Sequence, residues 1–194
     1  TVLRNLRATL ENAGSSLENM VHLRILVTRI EDEGTVLDIV RRFFGPSLCS
    51  GEIVEARNSG SDLEILVQMD CIALATNVGA VQHVWSAGLE RLTDPFPTAT
   101  KAGGLLFSSQ LAGADRSTGE VIDRVGGLSS QMRQLLGPLE ARASRRALPF
   151  FVQQAAMWDH LFAILADNSV DRRSTLYHMN WMRRPMRVFA DGSV

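Results

Sequence analysis

Apolar residues recur along the first third of the chain with two different periods. Leu3, Leu6, Leu10 and Ala13 follow helical spacing, and Gly14 supplies a C-terminal stop. After Ser15 and Ser16, Val21, Leu23, Ile25 and Val27 alternate with His22, Arg24 and Leu26, which predicts a strand. Glu31, Asp32, Glu33 and Gly34 open a second helix with Val36, Val40, Phe43 and Phe44 on its apolar face, ended by Gly45-Pro46. A strand is predicted over 53–57, a turn over 58–62, and a long strand with Leu63, Ile65, Val67, Met69 and Cys71 on one face. These last two strands are expected to pair as an antiparallel hairpin.

Residues 76–94 mix both patterns and read as a junction. Beyond it, Gly103-Gly104 followed by 105–108 reads as turn then strand. Residues 115–119 read as a tight turn and 120–122 as a returning strand. Gly126-Gly127 and Gly137-Pro138 bracket a helical piece over 128–136. Pro149 suits the start of a further helix with Trp158, Leu161, Phe162 and Leu165 facing inward, stopped at Asp167-Asn168. Residues 176–182 have strand character. The stretch 2–27 recurs weakly in 156–182. Leu6, Ala8, Leu10 and Val21 return as Leu161, Ala163, Leu165 and Leu176, a constant offset of 155 residues. A repeat of that period points to two related domains in tandem.

Composition narrows the class without naming a function. Of 194 residues, 45% are hydrophobic, enough for a core of ordinary size. The formal net charge of −1 provides no global field toward nucleic acid or a membrane. Two cysteines, Cys49 and Cys71, do not make a disulfide scaffold, and reduced thiols in a cytoplasmic setting are expected. Cys71 reads as a core residue, and Cys49 as a buried, inert thiol. No apolar run reaches the ~20 residues of a membrane span. The chain starts on a helical pattern without Met and stops after 191–193 with no element completed, so it reads as a piece of a longer chain.

Several stretches resemble the RidA family, also called YjgF-like or L-PSP proteins. The strongest match is LENAGSSLENMVHLRILVTRIEDEGTVLDIVRRFFG, residues 10–45, the helix, alternating strand and second helix of that family's middle section. LVQMDCIA, residues 66–73, resembles its last strand. PFPTATKAGGLLFSSQLAGADRSTGEVI, residues 95–122, resembles its opening hairpin. The resemblance implies an α+β fold, an α/β sandwich like small trimeric chorismate mutase, with a mixed sheet and helices packed on one face. It divides the chain into 1–76, the C-terminal part of a first copy; 77–94, a junction; and 95–194, the N-terminal part of a second copy. An insertion lies around 123–150. Between them the two partial copies hold every element of one complete domain, so one composite sheet, or two incomplete layers packed together, is expected.

The resemblance also implies a chemistry: hydrolysis of small imine or enamine intermediates to carbonyl compounds and ammonia. That reaction needs an aimed water, a proton for the leaving nitrogen, and a cation for the substrate carboxylate, for which arginine's planar fork is suited. Matching Glu55-Ala56-Arg57 to the family's Val-Ala-Arg places Ser50 where the substrate-binding arginine stands. Leu37 replaces a common Asn, and Gln68 replaces a Glu. Copy one is therefore expected to be inactive. In copy two the lining candidates are Phe96, in place of a cleft tyrosine, with Ser109 and Gln110, and its arginine would come from an absent segment or a neighbouring subunit. Two functional readings follow. One is an imine or enamine hydrolase acting through copy two. The other is a non-catalytic small-molecule-binding or scaffold protein, which Ser50, Leu37 and Gln68 favour. Trimers or pseudo-trimers are implied, and no cofactor.

Other chemistries have weaker claims. His22, His83, His160 and His178 lack paired metal spacing. Arg172, Arg173, Arg183, Arg184 and Arg187 make the last segment basic, and ribonuclease activity has been described for some family members. Asp167, Asp171 and Asp191 flank that run, and only Tyr177 and Trp181 interleave it, so a solvated face or a subunit contact is expected, not a nucleic-acid interface. Gly103-Gly104 lacks the spacing of a phosphate loop.

Overall fold

A computed structural model describes residues 1–56, 65–76, 78–140 and 147–175. By packing, the chain falls into two compact units, Thr1–Leu111 and Ala112–Val194. That division lies past the 77–94 stretch where composition changes. Packing keeps the 95–111 segment with residues 1–94, whereas the family resemblance implied that it opens a second copy.

The first unit opens with helix α1 (Val2–Asn12), strand β1 (Met20–Val27), helix α2 (Glu33–Phe44), strand β2 (Ser50–Glu55) and strand β3 (Val67–Ala73). β1 is central, flanked by β2 in parallel and β3 in antiparallel. The sheet is therefore mixed, and the fold is α+β. Leu23, Ile25 and Val27 of β1 are buried in one cluster with Leu3 and Leu10 of α1 and Val36, Val40 and Phe44 of α2. The alternation read from the sequence thus places both helices on one face of the sheet. On β1 the alternate residues His22, Arg24 and Leu26 are only half-buried.

The expected hairpin of the 53–57 and 63–71 strands does not form. β2 begins earlier, at Ser50, and returns parallel to β1 because α2 carries the chain back across the sheet before β2 starts. A parallel neighbour requires such a crossover. β3 then finds the other edge of β1, with Leu23 opposite both Gly51 and Cys71. The 58–62 turn, Arg57 and Leu63 lie outside the described residues.

The rest of this unit is a second three-stranded sheet, β4 (Gln82–Val84), β5 (Ala99–Ala102) and β6 (Leu105–Ser108), with a short helix α3 (Glu90–Thr93) between β4 and β5. All its pairings are antiparallel. β5 and β6 meet across Gly103 and Gly104, both at positive φ, where a side chain would be strained. The partner of β6 is therefore β5. Residues 120–122 do not return as a strand, and only an isolated bridge joins Ala114 to Val121. Asp115 explains this: its carboxylate accepts from the Ser117 and Thr118 amides at 2.9 Å each, closing the turn on itself.

The second unit contains helix α4 (Ser130–Glu140) and helix α5 (Leu148–Asp167). α4 runs through Gly137-Pro138, which does not end it as the sequence pattern suggested. The helix continues past Pro138 to Glu140, the last described residue before 147. Leu128, Met132 and Leu136 pack with Val152, Ala155 and Ala156 of α5. On α5 the fully buried residues also include His160, Ile164 and Leu165. Of the residues predicted to face inward, Leu165 is buried, Trp158 and Phe162 pack against the cluster from partly exposed positions, and Leu161 is half-buried. The second half of the insertion around 123–150 is only partly described, and 176–182 lies outside the described residues.

Helix α1 and the end of α5 finish in the same way. Ser15 N–H donates to the Leu10 carbonyl at 2.8 Å and Gly14 N–H to Glu11 at 3.1 Å. At the offset of 155, Val170 N–H donates to Leu165 at 2.8 Å and Ser169 N–H to Ala166 at 3.0 Å. Gly14 has φ 73° and Ser169 φ 56°, so both ends are Schellman caps with a left-handed residue. A 3-10 turn follows each, Leu17–Asn19 and Arg172–Ser174.

Candidate functional site

The residues singled out by sequence meet along the edge of β2 that faces away from β1. A strand at a sheet edge leaves amides without partners. Here the 96–110 segment supplies them. Ser50 N–H donates to Thr100 Oγ1 at 2.7 Å, Gly51 N–H to Ser109 Oγ at 2.9 Å, and Ile53 N–H to Gln110 Oε1 at 3.0 Å. The Gly51 carbonyl accepts from Gln110 N–H at 2.9 Å. Three side-chain oxygens and one amide thus do for β2 what a neighbouring strand would.

The same segment is engaged elsewhere as well. Ser109 Oγ donates to the Pro97 carbonyl at 2.6 Å. Thr98 Oγ1 donates to the Val84 carbonyl at 2.8 Å and accepts from Ser86 N–H at 2.7 Å, which ties β4 to the same segment. Phe96 joins the core of α1, α2 and β1 and is 4% exposed. Its ring lies over Gly51: a β-carbon there would stand 2.6 Å from Phe96 Cε1 and 2.6 Å from the Leu23 carbonyl oxygen. Glycine at 51 is what lets the phenyl ring close on the strand.

Ser50 is fully buried. Its hydroxyl donates to the Val21 carbonyl at 2.7 Å, and His22 Nδ1 lies 3.3 Å from it. Nε2 of the same ring is 3.9 Å from Glu52. Arg24 grips Asp70 with two bonds of 3.0 Å and stands 4.0 Å from Glu52. The nearest guanidinium on β1 is thus already committed to two carboxylates. Burial pushes the neighbouring Cys49 thiol up to about 12, against its own backbone hydrogen bond. The thiol is 1% exposed and has no thiolate to offer near neutral pH.

The structure therefore brings Phe96, Ser109 and Gln110 together with Ser50, in a tight uncharged seam. Phe96 and Ser109 are buried, whereas Gln110 keeps an exposed side chain while its amide oxygen reaches β2. Leu37 packs against the helical core, and Gln68 sits on β3 opposite Leu26. Sequence reading missed Gly51, Thr98 and Thr100. The signal was present as two threonines spaced by two around Ala99, which puts their hydroxyls on one side of an extended segment. Ser86 Oγ and His83 Nδ1 are buried without a hydrogen-bond partner among the described residues. Among those residues no group of three or more His, Cys, Asp or Glu is placed to hold a metal ion. None of the described helices is long and apolar enough to cross a membrane.

No protein-family model matches the chain, and no curated protein does. Solved structures do. A Mycobacterium tuberculosis member of the YjgF/YER057c/UK114 family is 27% identical with a TM-score of 0.36, over 38% of this chain and 61% of that one. An L-PSP protein of Entamoeba histolytica is 32% identical with a TM-score of 0.34, over 37% and 56%. A Pseudomonas aeruginosa protein of unknown function is 30% identical with a TM-score of 0.36, over 39% and 54%. The chain spans a little over half the length of these relatives. In its motifs and in the solved structures it matches, the chain is similar to the YjgF (RidA, L-PSP) family.

Proposed function

We propose that the protein is RidA-like and that the seam between β2 and the 96–110 segment is a structural junction, not a reaction site. One observation carries this reading. Ser50, at the position where the resemblance implies a carboxylate-gripping arginine, is fully buried, its hydroxyl spent on Val21 and its amide on Thr100. A substrate carboxylate would meet no cation there, and an attacking water would have no path. Hydrolysis of a small imine or enamine, the activity the resemblance implies, then falls to a different cleft, completed by an arginine from another segment or a neighbouring subunit. Trimeric or pseudo-trimeric assembly and a cytoplasmic setting belong to the same proposal, and the matched helix caps at offset 155 support its tandem arrangement.

The test is ammonia release from a freshly generated amino-acid imine, measured against buffer for the full-length protein and its Ser50→Ala and Ser109→Ala variants. The full-length protein is expected to accelerate release, and both variants to match it. No acceleration would end the hydrolase reading. A tenfold or greater loss in a variant with unchanged circular dichroism would return the chemistry to the seam.

A further inference from the structure

The second unit buries a histidine that neither the seam nor the proposed chemistry uses. His160 lies on α5, is 3% exposed, and has no hydrogen-bond partner for Nδ1 among the described residues. Its neighbour Asp159 is a fastening point. Arg116, from the 115–119 turn, donates to the Asp159 carbonyl at 3.2 Å and stands 3.8 Å from its carboxylate. Ser129 Oγ donates to Asp159 Oδ1 at 3.1 Å and accepts from Met132 N–H at 3.3 Å, in the first turn of α4. One residue of α5, Asp159, thus holds both the turn and the start of α4. The backbone is closed down at the same place: a β-carbon on Gly113 would stand 2.7 Å from the Cα, Cβ and carbonyl oxygen of Gln153. The charged groups facing His160 are Arg116 and Asp115 from the turn and Asp159 from α5, and the Ala112 carbonyl adds a dipole.

We propose that this contact is an acid-released clasp: neutral His160 lets residues 112–119 lie on α5, and proton uptake by His160 lifts them away. A proton on Nδ1 would be a buried donor without an acceptor, and such a group is costly to keep. The ring would also carry its charge beside a guanidinium. Burial first, and then Arg116, holds His160 below the ordinary imidazole range, while Asp159, the Ala112 hydrogen bond and Asp115 pull the other way. A folded-state value below the unfolded one gives a definite sign. The clasp is at full strength above about pH 6.5, the unfolded value, and weakens as pH falls from there toward the folded value.

Amide hydrogen exchange tests this on the whole chain, with protection factors for 112–119 followed from pH 7.5 to pH 5. In the unaltered protein, protection of 112–119 is expected to fall by roughly tenfold for each unit that separates the two values. In His160→Gln, which keeps a polar side chain but takes no proton, protection is expected to stay flat. Loss of protection in both proteins, or in neither, would overturn the proposal. Should the variant fail to fold, an NMR titration of His160 in the unaltered protein decides the matter. An inflection below the ordinary imidazole range that coincides with chemical-shift changes at 112–119 supports the clasp, and one at an ordinary value without them removes it.

Discussion

Gly51 and Phe96 are separated by 45 positions in sequence and share one volume in the fold. Phe96 was legible as an apolar residue at a family cleft position, yet nothing at position 51 announced that a ring would rest on it. Glycine in a strand usually marks a bulge or a close approach, and the identity of the approaching group lies outside local pattern. The geometry gives a direct consequence. Gly51→Ala places a methyl 2.6 Å from both the ring and the Leu23 carbonyl oxygen, and the second contact is with backbone that cannot step aside. Overpacking of this kind costs about 1–3 kcal/mol. The urea midpoint is expected to fall, with the slope unchanged. Phe96→Leu in the same chain should return only part of the loss, because the carbonyl contact remains. Full recovery would mean that the ring alone sets the fit.

Elements were easier to read than their partners. The period of apolar positions defines α1, β1, α2 and α5 because burial on one face writes itself into the spacing. It does not say which strands adjoin, so β2 and β3 looked like a hairpin although β1 separates them. β2's edge is satisfied by hydroxyls and an amide oxygen from afar, an arrangement with no periodicity to detect. Helix ends were legible both at Gly14 and at Asp167-Asn168, but nothing in the sequence showed that Ser169 adopts the left-handed conformation of Gly14 without being glycine. That difference yields a prediction at this scale. A left-handed conformation costs a residue with a β-carbon about 1 kcal/mol relative to glycine. Ser169→Gly should therefore raise stability by about that amount, visible as a higher denaturation midpoint, while the matching Gly14→Ser should lower it. A destabilised Ser169→Gly would show that the serine hydroxyl contributes something the cap geometry does not require.

At the scale of the whole molecule, the chain packs as two units, and Cys49 can report how the first of them opens. It sits one residue before Ser50, in the core that α1, α2 and β1 share with Phe96. Its thiol is pushed up to about 12 by burial, so at pH 8 the thiolate fraction is roughly one in ten thousand even before access is considered. Cys71, half-buried on β3, is also raised, first by burial and then by Asp70, but it lies nearer to solvent. An alkylating reagent at pH 8 should label Cys71 first. Labelling of Cys49 should be slow, with a denaturant dependence equal to that of unfolding of the Thr1–Leu111 unit. If the seam were a breathing cleft that admits small ligands, Cys49 would open locally and its labelling would be insensitive to low denaturant. That second pattern would contradict a closed junction. It would also show that the 96–110 segment, which packing assigns to the first unit, moves independently of the strand it completes.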